Sequence, residues 1–464
     1  MKKIYIRLLL PLALLFTLWQ VSPSNLSAQT FQVDTILYNG NSSKFINLVL
    51  MSDGFQTGQL PSFITNVQNF SNYLFTVSPF AEYKNYFNVF AIRVPSTDST
   101  ADHPGTATDV TEPVFPVSTV NTYFNSTFDY SSIHRLLVPQ NYSAINTVLI
   151  NNFPLYDQKL MLVNSPYYGG SGGSTSTSSL NTSSYSIMVH EMGHSFAGLA
   201  DEYWVGNSYA SEKPNMTQQT NPVIVKWKNW MGYGGVGIYQ HCCGGNSALW
   251  YRPHESCKMR YLSSPFCPIC KETIVEKIHQ FFGTTIYSYH PNQATVSYLT
   301  QPILFGVSLI KPIPNTLRVK WLLNGTDIAL NIDSVTITSS QLNIGSNTLS
   351  VQVLDTTSLT RDSLHPINHT YAINWTINYS FVDISTLYLD NAIIIIPNPN
   401  NGKFLIETGN LLLTKIKIFN SIGEIVYESE IRNSEIDLSS QPKGTYFIEV
   451  HTHNKTYNNK IIIQ

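Results

Sequence analysis

Two histidines four residues apart, with a glutamate directly after the first, stand at His190-Glu191-Met192-Gly193-His194. On a helix, side chains at that spacing lie one above the other, so both imidazoles can chelate one metal ion. Glu191 can then reach a water on that metal as general base. A catalytic Zn²⁺ needs three protein ligands and an open position for water. After His194 the chain runs through Gly198, a helix stop, into Leu199-Ala200-Asp201-Glu202-Tyr203. Reversal at the glycine would return an acid to the metal. Asp201 is the preferred third ligand; Glu202 is the alternative, or else it braces a histidine or neighbouring backbone. In this chemistry Zn²⁺ acidifies a bound water toward about pKa 7 and Glu191 takes its proton. A donor must meet the developing oxyanion, and Tyr203, Tyr233 and Tyr251 are candidates.

Such a site has to be carried on rigid elements. Ser183 or Ser184 can cap a helix whose apolar residues Ile187, Met188, Val189 and Met192 surround the histidines, and Gly198 can end it. Apolar runs at 45–51, 86–94 and 159–164 read as strands, and 61–74 has helical periodicity. Between the last strand and the helix lies Tyr167-Tyr168-Gly169-Gly170-Ser171-Gly172-Gly173, a loop of conformationally permissive residues. An extended peptide can add to a sheet edge beside such a site, and Tyr168, Gly169 and Gly170 are the expected edge. Downstream, Cys242, Cys243, Cys257, Cys267 and Cys270 fall close together, with His241 and His254 nearby. Disulfides suit an exported chain; Cys267 and Cys270 also have zinc-knuckle spacing. A helical pattern at 271–282 follows them. His103, His279 and His290 lack ligand spacing and read as ordinary polar residues.

Composition narrows the surroundings of this chemistry. The 464 residues carry 27 basic and 29 acidic side chains, so no electrostatic footprint for nucleic acid or an anionic membrane is present. Hydrophobic residues at 43% are too many for a disordered chain. The start, with Lys2, Lys3 and Arg7 before an apolar stretch from Leu8 to Trp19 and small residues at Ser27-Ala28, reads as a signal peptide over 1–28. No later run approaches membrane-spanning length. Residues 29–285 hold the chemistry. Residues 286–385 alternate in short strands, with the turn dipeptide Asn324-Gly325, and suggest an immunoglobulin-like sandwich acting as a spacer or adhesion module. Residues 386–464 alternate again and form a further small β domain. Nothing in the sequence assigns a Ca²⁺ site.

Two resemblances sharpen this reading. The run from His190 to Tyr203 resembles the signature of the IgA-peptidase family of zinc metallopeptidases. Asp53-Gly54-Phe55, Ser78-Pro79-Phe80, Tyr168-Gly169-Gly170, Tyr251-Arg252-Pro253, Cys257-Lys258-Met259-Arg260 and Phe266-Cys267-Pro268-Ile269-Cys270 extend it over most of residues 40–280. The resemblance implies a metzincin-like mixed α/β fold, with Met259 in a turn beneath the metal, and hydrolysis of a protein or peptide substrate. It implies immunoglobulin A as substrate far less firmly. In metzincins the third ligand would fall at Ala200, which cannot bind zinc, so the ligand here is displaced. At the other end, Pro397-Asn398-Pro399-Asn400-Asn401-Gly402-Lys403-Phe404, Gly444-Thr445-Tyr446 and Lys460-Ile461-Ile462-Ile463 resemble the type IX secretion sorting domain of Bacteroidetes. That implies the secretion machinery as a partner, and release or attachment at the outer-membrane surface. The expected fold is therefore an α/β metzincin-like catalytic domain followed by two all-β sandwich-like domains. The expected function is a secreted zinc endopeptidase; a surface adhesin with an inactive peptidase domain is the alternative.

Overall fold

The computed structural model describes residues 30–380, 393–407, 413–430, 435–453 and 455–464. The expected signal peptide at 1–28 and residues 381–392 lie outside the described residues. Most regular structure is β-sheet, in seven sheets among the described residues, with few helices. No described helix is long and apolar enough to cross a membrane. Two compact units divide the chain: one takes in residues up to 296 with 301–341 and 347–377, the other 297–300, 342–346 and 378–464.

The first unit is built on a mixed six-stranded sheet. Its strands are β1 (Val33–Leu37), β2 (Ile46–Asp53), β3 (Phe87–Ile92), β4 (Gln158–Val163), β5 (Gly170–Ser171) and β6 (Ser176–Ser178), in the order β1-β3-β2-β4-β6-β5. β2 pairs in parallel with both β3 and β4, and every residue of β2 and β3 is buried. Parallel strands covered on both faces read as unbroken apolar runs, which is how these segments appear in sequence. Successive side chains point to opposite faces. Leu48, Leu50, Val89, Ala91, Leu160 and Leu162 therefore enter one core, and Val49, Met51, Phe90, Ile92, Met161 and Val163 the other.

The first core is roofed by α1 (Leu60–Leu74), α3 (Ser184–Ala197) and α4 (Pro268–Phe282), the second by α2 (Tyr142–Asn152). α1 buries Leu60, Phe63, Val67, Phe70 and Leu74, the three- and four-residue spacing of one helix face. Each such side chain contributes about 1.5–3 kcal/mol. Asp53, at the buried end of β2, accepts hydrogen bonds from Ser126 N–H at 3.0 Å, Phe124 N–H at 3.0 Å and Thr122 Oγ1 at 3.1 Å. It thereby fixes the long segment leading toward α2.

A β-sandwich follows α4. Strands Ile286–His290, Ile303–Leu309 and Ser334–Ile337 make one sheet, and Leu317–Leu323, Thr326–Leu330 and Gly345–Asp355 belong to the other. Trp321 and Trp375 stack in its interior with ring centroids 5.8 Å apart. Asn324 and Gly325 both have positive φ, as the expected hairpin turn requires. The sandwich is joined to α4 by buried polar contacts. Asp355 accepts from Tyr83 Oη at 2.5 Å and Thr316 Oγ1 at 2.6 Å, and lies 3.1 Å from His279 Nε2. Glu276 lies 2.6 Å from His365 Nδ1 and 2.9 Å from His369 Nε2. His279, expected to be an ordinary polar residue, is thus a buried member of this junction.

The C-terminal unit contains a three-stranded sheet of Ile394–Ile396, Lys403–Glu407 and Glu435–Asp437, and a four-stranded sheet of Leu413–Phe419, Ile425–Ser429, Gly444–Thr452 and Thr456–Ile463. Ile395, Phe404, Ile406, Ile418, Ile448 and Ile461 are among the residues of one core in this unit. The alternation seen in the sequence is the consequence: each strand turns one face inward.

Candidate active site

α3 carries His190, Glu191 and His194. Ser183 occupies its N-cap position, but its hydroxyl makes no capping hydrogen bond, contrary to expectation. The other end behaves as the sequence predicts: Gly198 adopts φ 66°, a left-handed conformation that glycine takes without strain. The turn sends Leu199 N–H back to the Gly193 carbonyl at 3.0 Å, and the Leu199 carbonyl then lies 2.8 Å from His194 Nδ1. His190 Nδ1 likewise lies 2.9 Å from the Lys258 carbonyl.

Carbonyls only accept, so each Nδ1 carries a proton and each Nε2 of a neutral ring presents a lone pair. Those Nε2 atoms are 3.3 Å apart. Asp201 Oδ1 sits 3.0 Å from the Nε2 of His190 and 3.3 Å from that of His194. Three lone pairs thus converge on one point. Zn–N bonds of about 2.0–2.1 Å at tetrahedral angles place ligand atoms about 3.3 Å apart, so the donor set fits a zinc ion. Burial alone would lower both imidazoles, but hydrogen bonding to Asp201 more than offsets it and lifts His194 to about 9. Burial would raise Asp201, yet the two imidazoles hold its carboxyl far below the usual carboxylate range. A bound cation would take the place of those protons.

Glu191 Oε2 is 4.0 Å from His194 Nε2, on the side of the cleft, and burial raises its carboxyl. Met259 lies beneath the helix: a Cβ on Gly193 would come within 2.5 Å of its Sδ. Glu202 departs from its alternative reading as a ligand of the histidine site. Its side chain turns away, fully buried, to Asn215 Nδ2 at 3.1 Å and to the thiols of Cys267 and Cys270. Asn215 in turn grips the backbone of Ala200, so Glu202 braces neighbouring backbone through it.

A cleft of about 860 Å³ opens over these residues, lined among others by Arg135, Tyr168, Gly172, Tyr203, Trp204 and His241. Tyr203 stacks near His190 at 6.4 Å and faces the Arg135 guanidinium at 5.9 Å. Tyr233 is exposed and packs on Arg361, and Tyr251 pairs with Gln240 outside the cleft, so neither joins the site. β5 is the edge strand, but the expected substrate edge at Gly169 and Gly170 is already occupied. Gly170 N–H donates to the Arg135 carbonyl at 3.1 Å, and its carbonyl accepts Leu137 N–H at 3.4 Å. Tyr168 lines the cleft, whereas Gly172 touches α3, where a Cβ would meet His194 Cβ at 2.7 Å.

Sequence reasoning missed Arg135, which no motif marks, and set His241 among the cysteines. Instead burial and Arg252 hold the His241 imidazole down to about 4, so it lines the cleft as a neutral ring. His254 is likewise apart from the cysteines, 3.1 Å from the Gly234 carbonyl. Cys242 and Cys243 are bridged, while Cys257, Cys267 and Cys270 are buried and free, so the expected disulfides extend to one adjacent pair. His103 is buried with Glu112, Asp129 and His134, a cluster the spacing did not announce.

Comparison with known proteins agrees with the two ends of the chain. Residues 35–238 match the profile of IgA Peptidase M64, and residues 394–464 that of the secretion system C-terminal sorting domain. An ulvan lyase, NLR42, of Nonlabens ulvanivorans is 32% identical over 90 residues, which is 18% of this chain and 17% of that protein. The chain thus spans less than a fifth of that relative. Among solved structures, the fibronectin(III)-like modules of Clostridium thermocellum CbhA are 12% identical, covering 20% of this chain and 96% of that one, at TM-score 0.14. The Bacteroides ovatus mixed-linkage glucan protein SGBP-B is 11% identical, covering 39% and 46%, also at TM-score 0.14. Neither likeness is close enough to bear on the fold. The sorting domain makes this a protein secreted or attached at the surface in the manner of Bacteroidetes. The chain carries a peptidase domain of the IgA peptidase M64 family and a type IX secretion sorting domain.

Proposed function

We propose that this protein is a zinc metalloendopeptidase of metzincin-like build, acting outside the cell on protein or peptide substrates. The observation that carries the reading is the convergence of His190 Nε2, His194 Nε2 and Asp201 Oδ1 within 3.3 Å beside Glu191. When bound there, Zn²⁺ supplies Lewis acidity. The Lys258 and Leu199 carbonyls hold each imidazole with its Nε2 lone pair turned inward. Glu191 takes a proton from the attacking water and passes it to the leaving amine nitrogen. Burial raises its carboxyl, which strengthens it as a proton acceptor. Tyr203, which lines the cleft beside the Arg135 guanidinium, donates to the substrate oxygen as charge develops there. The cleft is open enough for an extended chain, with aromatic walls at Tyr168, Trp204 and Tyr209.

The test is casein cleavage by the mature chain, with and without chelator, alongside Glu191→Gln. Chelator-sensitive cleavage that Glu191→Gln abolishes while metal content stays constant is the expected result. Cleavage at full rate in Glu191→Gln would refute the assignment. Substrate binding without any cleavage would favour an adhesin.

A further inference from the structure

Directly behind the histidine site, four ionisable side chains meet with no role in the chemistry above. Glu202, Cys257, Cys267 and Cys270 are all at least 97% buried, and their ligand atoms lie within 4.8 Å of one another. Cys257 Sγ is 3.6 Å from Cys270 Sγ; Glu202 Oε1 is 3.3 Å from Cys270 Sγ and 3.8 Å from Cys267 Sγ. Glu202 Oε2 is buried without a hydrogen-bond partner. An orphaned carboxylate oxygen beside three buried thiols is costly as it stands. The nearby lysine gives no relief: Lys258 Nζ donates to Leu262 O at 2.6 Å and to Ser186 Oγ at 3.1 Å.

We propose that Glu202, Cys257, Cys267 and Cys270 form a second metal site, structural in role, for Zn²⁺ or another thiolate-preferring divalent ion. Zn–S bonds of about 2.3 Å at tetrahedral angles separate sulfurs by about 3.8 Å, close to the spacings observed. Three sulfurs and one carboxylate close a four-coordinate shell and leave no position for water, as structural sites do. Cys257 Sγ also accepts Cys267 N–H at 3.3 Å, which favours its thiolate form. On binding, the thiol protons pass to solvent and the metal takes their place.

The position of the four ligands explains what the metal would do. Glu202 follows Asp201, and its N–H donates to the Met259 carbonyl at 2.7 Å. Cys257 precedes Lys258, whose carbonyl orients His190. Cys267 and Cys270 stand at the start of α4. One ion would therefore tie together the loop bearing Asp201, the turn bearing Met259 and the last helix under the sheet. The site does not depend on the peptidase reading, because the histidine site contains no sulfur.

The test uses the full chain loaded with Co²⁺. Thiolate-to-cobalt charge-transfer absorption is expected, since nitrogen and oxygen donors alone do not produce it. Cys267→Ser/Cys270→Ser should lose that band and one of two metal equivalents, while His190→Ala loses the other equivalent and keeps the band. Should the double variant fail to fold, thiol titration of the denatured, metal-stripped wild type decides: three free thiols are expected. Absence of the band in cobalt-loaded wild type, its persistence in the double variant, or recovery of a single thiol would each overturn the proposal.

Discussion

Asn215 holds the backbone of Ala200 from both sides: its Oδ1 accepts Ala200 N–H at 2.7 Å, and its Nδ2 donates to the Ala200 carbonyl at 2.8 Å. Ala200 immediately precedes Asp201, so this grip fixes the direction in which the carboxylate leaves the chain. Removing the amide strands two buried backbone groups, at a cost of about 1–3 kcal/mol each before relaxation. Asn215→Ala should lower the melting temperature and weaken zinc binding by about 10–100-fold, the usual effect of losing a group that orients a ligand. Competition titration against a chromophoric chelator measures it, and unchanged zinc affinity would show that Asp201 is held by other means.

Gly193 sits over the Met259 sulfur, where an added Cβ would approach Sδ to 2.5 Å. Methionine is flexible, yet Met259 is fully buried and its backbone is tied to Glu202. Gly193→Ala should therefore cost about 1–3 kcal/mol, the range for overpacking a core. Gly193→Ala/Met259→Ala should recover part of the loss in chemical denaturation. A fully additive double variant would mean the two residues do not press on each other.

Tyr203 is the one tyrosine of the three sequence candidates that the fold brings to the cleft. If its phenol donates to the developing oxyanion, Tyr203→Phe should lower kcat by about 100-fold, within the range for losing such a donor. KM and zinc content should stay near wild type, because the ring still stacks near His190. A kcat within twofold of wild type would assign the donor role elsewhere.

What could be read from the sequence, and what could not, follows the range of the forces involved. The helix of His190 and His194, its stop at Gly198 and the strands at 46–53, 87–92 and 158–163 depend on local periodicity and turn chemistry, which short windows carry. The direction of Glu202 does not. It sits beside Asp201 in sequence, but the partners that draw it away, Asn215, Cys267 and Cys270, arrive from other segments. Arg135 and the covering of Gly170 were hidden for the same reason: both depend on a long irregular segment packed across the sheet edge. The cysteine window misled because spacing alone cannot tell adjacent bridged thiols from a buried trio.

The contact between α4 and the β-sandwich gives a pH signature separate from catalysis. Burial would lower His365, but its hydrogen bond to Glu276 wins and raises it. Burial would raise Glu276 and Asp355, but His365 for the first and His279 for the second hold them below the usual carboxylate range. His369 is lowered, by burial first and then by His279. A raised histidine contributes stability that is complete below its unfolded value, about 6.5, and is lost as pH climbs through its folded value. Lowered carboxylates contribute stability present above about 4 that is lost on acidification, and the lowered His369 adds to that acid loss below about 6.5. His365 and Glu276 report one shared interaction, so their effects are not summed. The wild-type melting temperature should therefore decline as pH rises above about 6.5, with the raised His190 and His194 adding to the decline in the metal-free chain. Glu276→Gln should melt lower at neutral pH and lose the part of that alkaline slope that His365 supplies. Calorimetry across pH 5–9 reads both, and a wild-type slope that survives intact in Glu276→Gln would place the titrating group outside this junction.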